Sequence, residues 1–227
     1  MYIFNGNYLQ LNMVVIFQFD SEWLSERNAL KYLKGGFTMD NKERFLSLCS
    51  NIKRDGIESL IDWIKSSDFF DAPASTRFHG SYAGGLCEHS LNVYDEMKRL
   101  LSVYPKIEVS DETVIITTLF HDLCKVNFYS TEKRNRKNES GQWESYDAYT
   151  INPKLNYGGH GSKSVFIIQQ FIKLTVEEAV AINCHMSAFQ GDVNEVSKAY
   201  EQFPYAWLVS IADQSASFII ESRKDGK

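Results

Sequence analysis

His121 and Asp122 stand next to each other in LFHDLCK, Leu119 to Lys125, behind the apolar run Val114, Ile115, Ile116 and Leu119. An imidazole and a carboxylate at the end of a buried helix need partners. Burying a neutral polar group without one costs about 2–7 kcal/mol, and burying a charge costs more. A metal ion would satisfy both. Three further histidines, His89, His160 and His185, lie beside long apolar runs, and a late carboxylate, Asp213, sits in VSIADQSAS. Each of these alone reads as an ordinary core residue. As a set they carry more weight, because neutral imidazoles and carboxylates suit Mn, Fe, Co, Ni or Zn and facing helices can bring such ligands together.

The elements that must position these residues are mostly helical. Asp40 or Asn41 caps a segment with Phe45, Leu46 and Leu48, and Asp55 caps another with Ile57, Leu60, Ile61 and Ile64 at helical spacing. Gly84 and Gly85 open a longer helix through His89, Val93, Met97 and Leu100 that Pro105 ends. Asp111 caps the next, which is expected to run to Lys125. His160 sits in GGHG at a helix start. Thr175 and Glu178 form a capping box ahead of the segment that leads to His185, and Pro204 begins a last helix through Leu208, Ile211 and Phe218. The stretch 126–151 breaks the pattern. It is rich in Tyr, Thr and Trp, with NESG at Asn138 to Gly141 as a turn, and reads as a β-hairpin inserted after the His-Asp helix.

At 227 residues and 44% hydrophobic, the chain is long enough to bury about 70% of the surface its unfolded form exposes. With 24 Lys plus Arg against 29 Asp plus Glu, the net charge of -5 offers no broad footprint for a nucleic-acid backbone, so no long nucleic acid is expected as a partner. Cys49, Cys87, Cys124 and Cys184 form no C-x-x-C pair, which points to reduced thiols in a cytoplasmic protein. Cys87, Cys124 and Cys184, each within three residues of a histidine, read as small apolar fillers, because a Cys adjacent to a ligand on a helix points about 100° away from it. No segment reaches the roughly 18–20 apolar residues of a membrane span. The first residues carry a strand-like apolar scrap but no positive region or cleavage site. KGGFTM, Lys34 to Met39, can be back-translated as a ribosome-binding sequence and start codon. On that reading residues 1–38 are an upstream extension and 39–227 form a single domain.

Two other signals are weaker. GGHGSKS has the flavour of a phosphate loop, but Ser162 separates Gly161 from Lys163, so the G-x-x-x-x-G-K-[ST] spacing fails. There is no G-x-S-x-G elbow either. The hairpin carries EKRNRK, Glu132 to Lys137, beside Trp143, Tyr146 and Tyr149. Arg134 and Trp143 could grip a phosphate and stack a base as a lid over the site, although a charged hairpin tip is more often simply solvated.

The order H, HD, H, H, D, carried by His89, His121-Asp122, His160, His185 and Asp213, resembles the HD-domain superfamily of metal-dependent phosphohydrolases. The stretch Ala72 to Tyr94, APASTRFHGSYAGGLCEHSLNVY, is similar to the HD domain of a bacterial three-prime exoribonuclease and of uncharacterised relatives. LFHDLCKV and GGHGSKS match in place, and the likeness spans about Phe69 to Ile220. It implies a mostly α HD-domain bundle. One metal would be held by His89, His121, Asp122 and Asp213, with Asp122 bridging to a second that His160 and His185 complete. Two ions are favoured, Mn, Fe, Co or Ni, with Mg a further candidate. Lys125, three residues after Asp122, would face the substrate beside the catalytic Asp122, and His79 could donate to the same phosphate or merely tie down its loop.

The resemblance thus points to a divalent-metal phosphohydrolase, a phosphomonoesterase or phosphodiesterase, acting on a small nucleotide or short oligonucleotide. The acidic balance disfavours an extended RNA groove. The same ligand order also fits a mixed-valent di-iron oxygenase of a small molecule, or a non-catalytic nucleotide-binding protein. The oligomeric state has no signature in the sequence.

Overall fold

The computed structural model describes residues 39–138 and 140–221. The strand-like scrap and the upstream extension expected in 1–38 lie outside those residues. By compactness the chain divides into Met1–Asp40 and Asn41–Lys227. The second unit is mostly helical with one two-stranded antiparallel hairpin, as the sequence pattern indicates.

Helices α1 (Asn41–Cys49) and α2 (Ile57–Ser66) bury Phe45 and Cys49 on one and Leu60 and Ile64 on the other, in each case four residues apart and on one helical face. The expected cap Asp55 is not used. Gly56 precedes α2 with φ 88°, and a methyl group there would overlap the Phe171 carbonyl, so a close backbone approach sets the start of α2. Helix α3 (Gly85–Val103) is the longest described, and its last turn ends at Tyr104, just before Pro105.

Helix α4 (Asp111–Leu119) differs from expectation at both ends. Its N-cap is Ser110, whose hydroxyl accepts from the Thr113 amide, so Asp111 is the first helical residue and not the cap. The helix stops at Leu119, six residues short of Lys125. The backbone turns at Phe120 and Asp122 before a 3-10 turn at Leu123–Lys125. His121 and Asp122 therefore sit in a tight turn rather than on a helix. Val114 to Leu119 are all buried, which makes α4 a central helix.

Strands β1 (Tyr129–Lys137) and β2 (Trp143–Ile151) pair with Tyr129 opposite Ile151 at the base and Lys137 opposite Trp143 at the tip. The Asn138 side chain accepts from the amides of Ser140 and Gln142 and closes the turn where NESG predicts one. Helices α5 (His160–Ile168), α6 (Val176–Cys184), α7 (Val193–Gln202) and α8 (Pro204–Ser215) come next in the chain, and α8 continues into a π-helical turn, Ala216–Ile220. The Thr175 and Glu178 capping box is formed in full.

Two apolar clusters build the interior. One gathers Phe45, Leu60, Phe69, Leu86, Ile116, Phe120 and Ile168, and the other Val93, Met97, Val114, Tyr205, Leu208 and Ala212. Helix α3 joins both, and His89 lies on it between Leu86 of the first and Val93 of the second. Arg54, in the loop before α2, staples that loop and α4 to α6. Its guanidinium donates to both oxygens of buried Glu178 at 2.6 and 2.7 Å, and Glu178 also accepts from Thr113. No described helix is long and apolar enough to cross a membrane.

Candidate metal centre

The end of α4 and the end of α6 use the same device. At α4 the His121 side chain folds back so that Nδ1 lies 2.7 Å from the Thr118 carbonyl, and at α6 the Nδ1 of His185 lies 2.7 Å from the Ile182 carbonyl. A carbonyl oxygen only accepts, so each Nδ1 carries the hydrogen and each Nε2 presents a lone pair inward. His89, one turn into α3, is fixed from outside the cluster by a carboxylate. Its Nδ1 donates to Glu221 at 3.1 Å, and Asn92 donates to the same carboxylate at 2.9 Å.

Three imidazole Nε2 atoms and two carboxylates therefore face one another. His89 Nε2 is 3.1 Å from Asp213 Oδ1, 3.2 Å from His121 Nε2 and 3.5 Å from Asp122 Oδ2. His121 Nε2 is 3.2 Å from Asp122 Oδ2, and His185 Nε2 is 3.6 Å from Asp122 Oδ1. The Nε2 of His185 is fully buried and has no hydrogen-bond partner among the described residues. A buried acceptor without a donor is costly. A cation beside it removes that cost.

The charges agree with this. The carboxylates of Asp122, Asp213 and Glu221 are all largely shielded from solvent, with Asp213 and Glu221 against His89 and Asp122 paired with the buried ammonium of Lys125, whose Nζ lies 2.7 Å from its Oδ2. Before any charge on the histidines is counted, the carboxylates outnumber the ammonium, and a cation would offset the difference. Burial opposes ionisation of Asp122, yet Lys125 and His121 hold it well below the usual carboxylate range. Burial likewise opposes the charge on Asp213, and His89 more than offsets it. For His89, burial opposes the imidazolium, but Glu221 and Asp213 outweigh it and push the ring up to about 10. The cluster thus draws positive charge to this point, whether a proton or a metal carries it.

All six residues expected as ligands gather here. His89, His121 and Asp213 place one atom each within 4.8 Å of one another, as do His121, Asp122 and His185, and as do Asp122, Cys124 and His160. His160 opens α5, and Gly161 after it packs so closely on α6 that a methyl group would overlap the Asn183 carbonyl. Two residues were not foreseen. Cys124 puts Sγ 3.5 Å from His160 Nδ1, because the 3-10 turn replaces the helix on which it would have pointed away. Its thiol stays protonated on its own, since burial and then Asp122 push it up to about 12. Glu221 reads in the sequence as part of a charged tail. The π-helical turn brings it back to α3.

A cavity of about 520 Å³ opens over the cluster, with Asp122, Lys125, His160 and Asp213 in its floor. Phe78, Phe189 and Phe218 line it too and are 64%, 68% and 68% exposed. His79 also faces it, stacked on His89 with ring centres 4.9 Å apart, and burial lowers it to about 4, so it is neutral at pH 7. The hairpin residues are not brought to this cavity. Arg134 pairs with Glu132 and lines a neighbouring cleft with Arg77 and Tyr149. Trp143 is 72% exposed at the hairpin tip, with Lys137 over its ring. A hairpin of this register holds the tip roughly 26 Å from its base at about 3.3 Å per residue.

Divalent ions in such a cluster supply Lewis acidity for phosphoester hydrolysis. The family model of the HD domain matches residues 86–217, more than half of the chain. Dihydroneopterin 2′,3′-cyclic phosphate phosphodiesterase of Methanocaldococcus jannaschii is 26% identical over 125 residues, covering 48% of this chain and 48% of that protein. The chain thus spans about half the length of this curated relative. No solved structure matches. The matched segment begins at the helix of His89 and ends past Asp213, so it encloses every one of the six residues, and the chain belongs to the HD-domain superfamily of metal-dependent phosphohydrolases.

Proposed function

We propose that this chain hydrolyses a phosphoester of a small nucleotide or short oligonucleotide with two divalent ions held by His89, His121, Asp122, His160, His185 and Asp213. The observation that carries this reading is the buried convergence of imidazole lone pairs on Asp122, with unpartnered His185 Nε2 among them, at the floor of an open cavity. When bound, the ions would lower the pKa of an attacking water and draw charge from the phosphoryl oxygens. Lys125, held by Asp122, presents its ammonium to the same space and would offset charge that builds on the phosphate. His79, neutral and facing the cavity, would donate a hydrogen bond to a phosphoryl oxygen.

The dimensions favour a small substrate. A volume of about 520 Å³ lies in the usual range of about 300–1,000 Å³ for small-molecule sites. The three exposed phenylalanines offer faces on which a planar base could stack, worth about 1–3 kcal/mol per base. That the relative's name specifies a cyclic phosphate makes cyclic phosphodiesters the first compounds to try. The test is a panel of mono-, di-, tri- and cyclic nucleotides assayed for phosphate or phosphoester release with Mn or Co, with Asp122→Ala as control. Turnover by the native chain and none by the variant is expected. Activity that survives Asp122→Ala would place the chemistry elsewhere. Stoichiometric iron with oxygen consumption and no hydrolysis would assign the site to oxygenase chemistry instead.

A further inference from the structure

We propose that Cys124 is a metal ligand, supplying sulfur to the ion position on the Oδ1 side of Asp122. The inference rests on the metal-dependent reading above and goes beyond it by giving one position a mixed nitrogen, oxygen and sulfur donor set. The two oxygens of Asp122 have different surroundings. Oδ2 faces Lys125, His89 and His121, whereas Oδ1 faces His185 Nε2 at 3.6 Å and Cys124 Sγ at 3.9 Å. On the far side of that sulfur lies His160 Nδ1, at 3.5 Å.

These spacings match the edges of a coordination polyhedron. With metal–sulfur near 2.3 Å and metal–nitrogen near 2.0–2.1 Å, a tetrahedral site has a sulfur–nitrogen edge of about 3.6 Å, with a sulfur–oxygen edge much the same. The local backbone holds the sulfur there. The Cys124 amide donates to Ser164 Oγ at 3.1 Å, which ties the 3-10 turn to α5, the helix that begins with His160. A second and independent sign of a cation at this point is the orphaned, fully buried Nε2 of His185, aimed at the same Oδ1.

On binding, the S–H bond breaks heterolytically, its proton goes to solvent, and the sulfur lone pair forms the metal–sulfur bond. No electron changes hands. A sulfur donor biases the position toward zinc, cobalt or ferrous iron and away from magnesium, whose preference is for oxygen. The binding preference of the full chain should therefore differ between its two positions.

Cobalt(II) reports on this directly, because a thiolate ligand gives a charge-transfer band in the near ultraviolet that nitrogen and oxygen ligands do not. The full chain titrated with cobalt should show that band by the time two equivalents have bound. The Cys124→Ser protein, its fold checked by circular dichroism, should still bind cobalt but lack the band. Chelator competition should find one of the two zinc equivalents at least about tenfold weaker in Cys124→Ser, with magnesium binding unchanged. Two bound cobalt ions without the band, or a band that persists in Cys124→Ser, would overturn the assignment while leaving the metal site intact. Cobalt binding at neither position would take down the underlying reading and this one with it.

Discussion

Glu221 touches His89 from behind and accepts from Asn92 as well, so it orients the ring whose other nitrogen faces the cluster. Replacing it with the isosteric amide, Glu221→Gln, should leave the fold in place and weaken metal binding by about 10–100-fold, measured by competition with a chelator. Lys125→Ala should lower kcat by about 10²–10³-fold with a smaller change in KM, because the ammonium acts on charge that appears in the transition state. At this scale the sequence was informative about residue types and silent about direction. The six candidate ligands are visible as an ordered set of histidines and carboxylates. The direction of Cys124 was not legible because nothing between Asp111 and Lys125 signals a helix end, neither Gly nor Pro. The end is made by the His121 side chain itself, which reaches back to the Thr118 carbonyl. Glu221 was invisible because a π-helical turn has no sequence signature that separates it from the end of α8.

Among the elements, the hairpin and the Arg54 staple carry the clearest expectations. Trp143 stands at the hairpin tip, far from the base that adjoins the cavity wall, so Trp143→Ala should leave KM for a small nucleotide within about twofold in steady-state assays. The hairpin's existence and its NESG turn were legible from the broken helical pattern, the Tyr, Thr and Trp content and the turn chemistry. Where it projects was not, since that depends on how Asn127, with φ 55°, launches the first strand. The Arg54 and Glu178 pair joins loop, α4 and α6. Arg54→Ala leaves Glu178 buried and unpaired and should destabilise the protein by about 3–5 kcal/mol in urea unfolding. Burial would raise the Glu178 carboxyl, but the bonds from Arg54, Thr175 and Thr113 hold it below its ordinary value of 4.5. Its contribution is thus fully present above that value and is lost as pH falls through the lower folded value. The urea midpoint should drop on acidification below about pH 4.5, and less steeply in Arg54→Ala.

For the molecule as a whole, a metal held by buried carboxylates and imidazoles would bind the folded chain alone, so folding and metal binding should be linked. Manganese at a hundred times its dissociation constant should add about 2.7 kcal/mol of stability. At roughly 2–4 °C per kcal/mol for a chain of this size, that corresponds to a rise in Tm of about 5–10 °C, which a chelator should reverse in a thermal melt. The sequence conveyed the bundle well, because helical spacing and caps are local. It conveyed the junction of two cores poorly, because no local pattern records which helix packs on which. Gly161 shows how much hangs on one such contact. It lets α5 lie against the backbone of α6, so the distance between those two helices is set by a hydrogen atom where other residues have a carbon. A selection for altered metal appetite in this scaffold should consequently return changes at Gly161, and an engineer wishing to move His160 relative to His185 should begin there and not at either histidine.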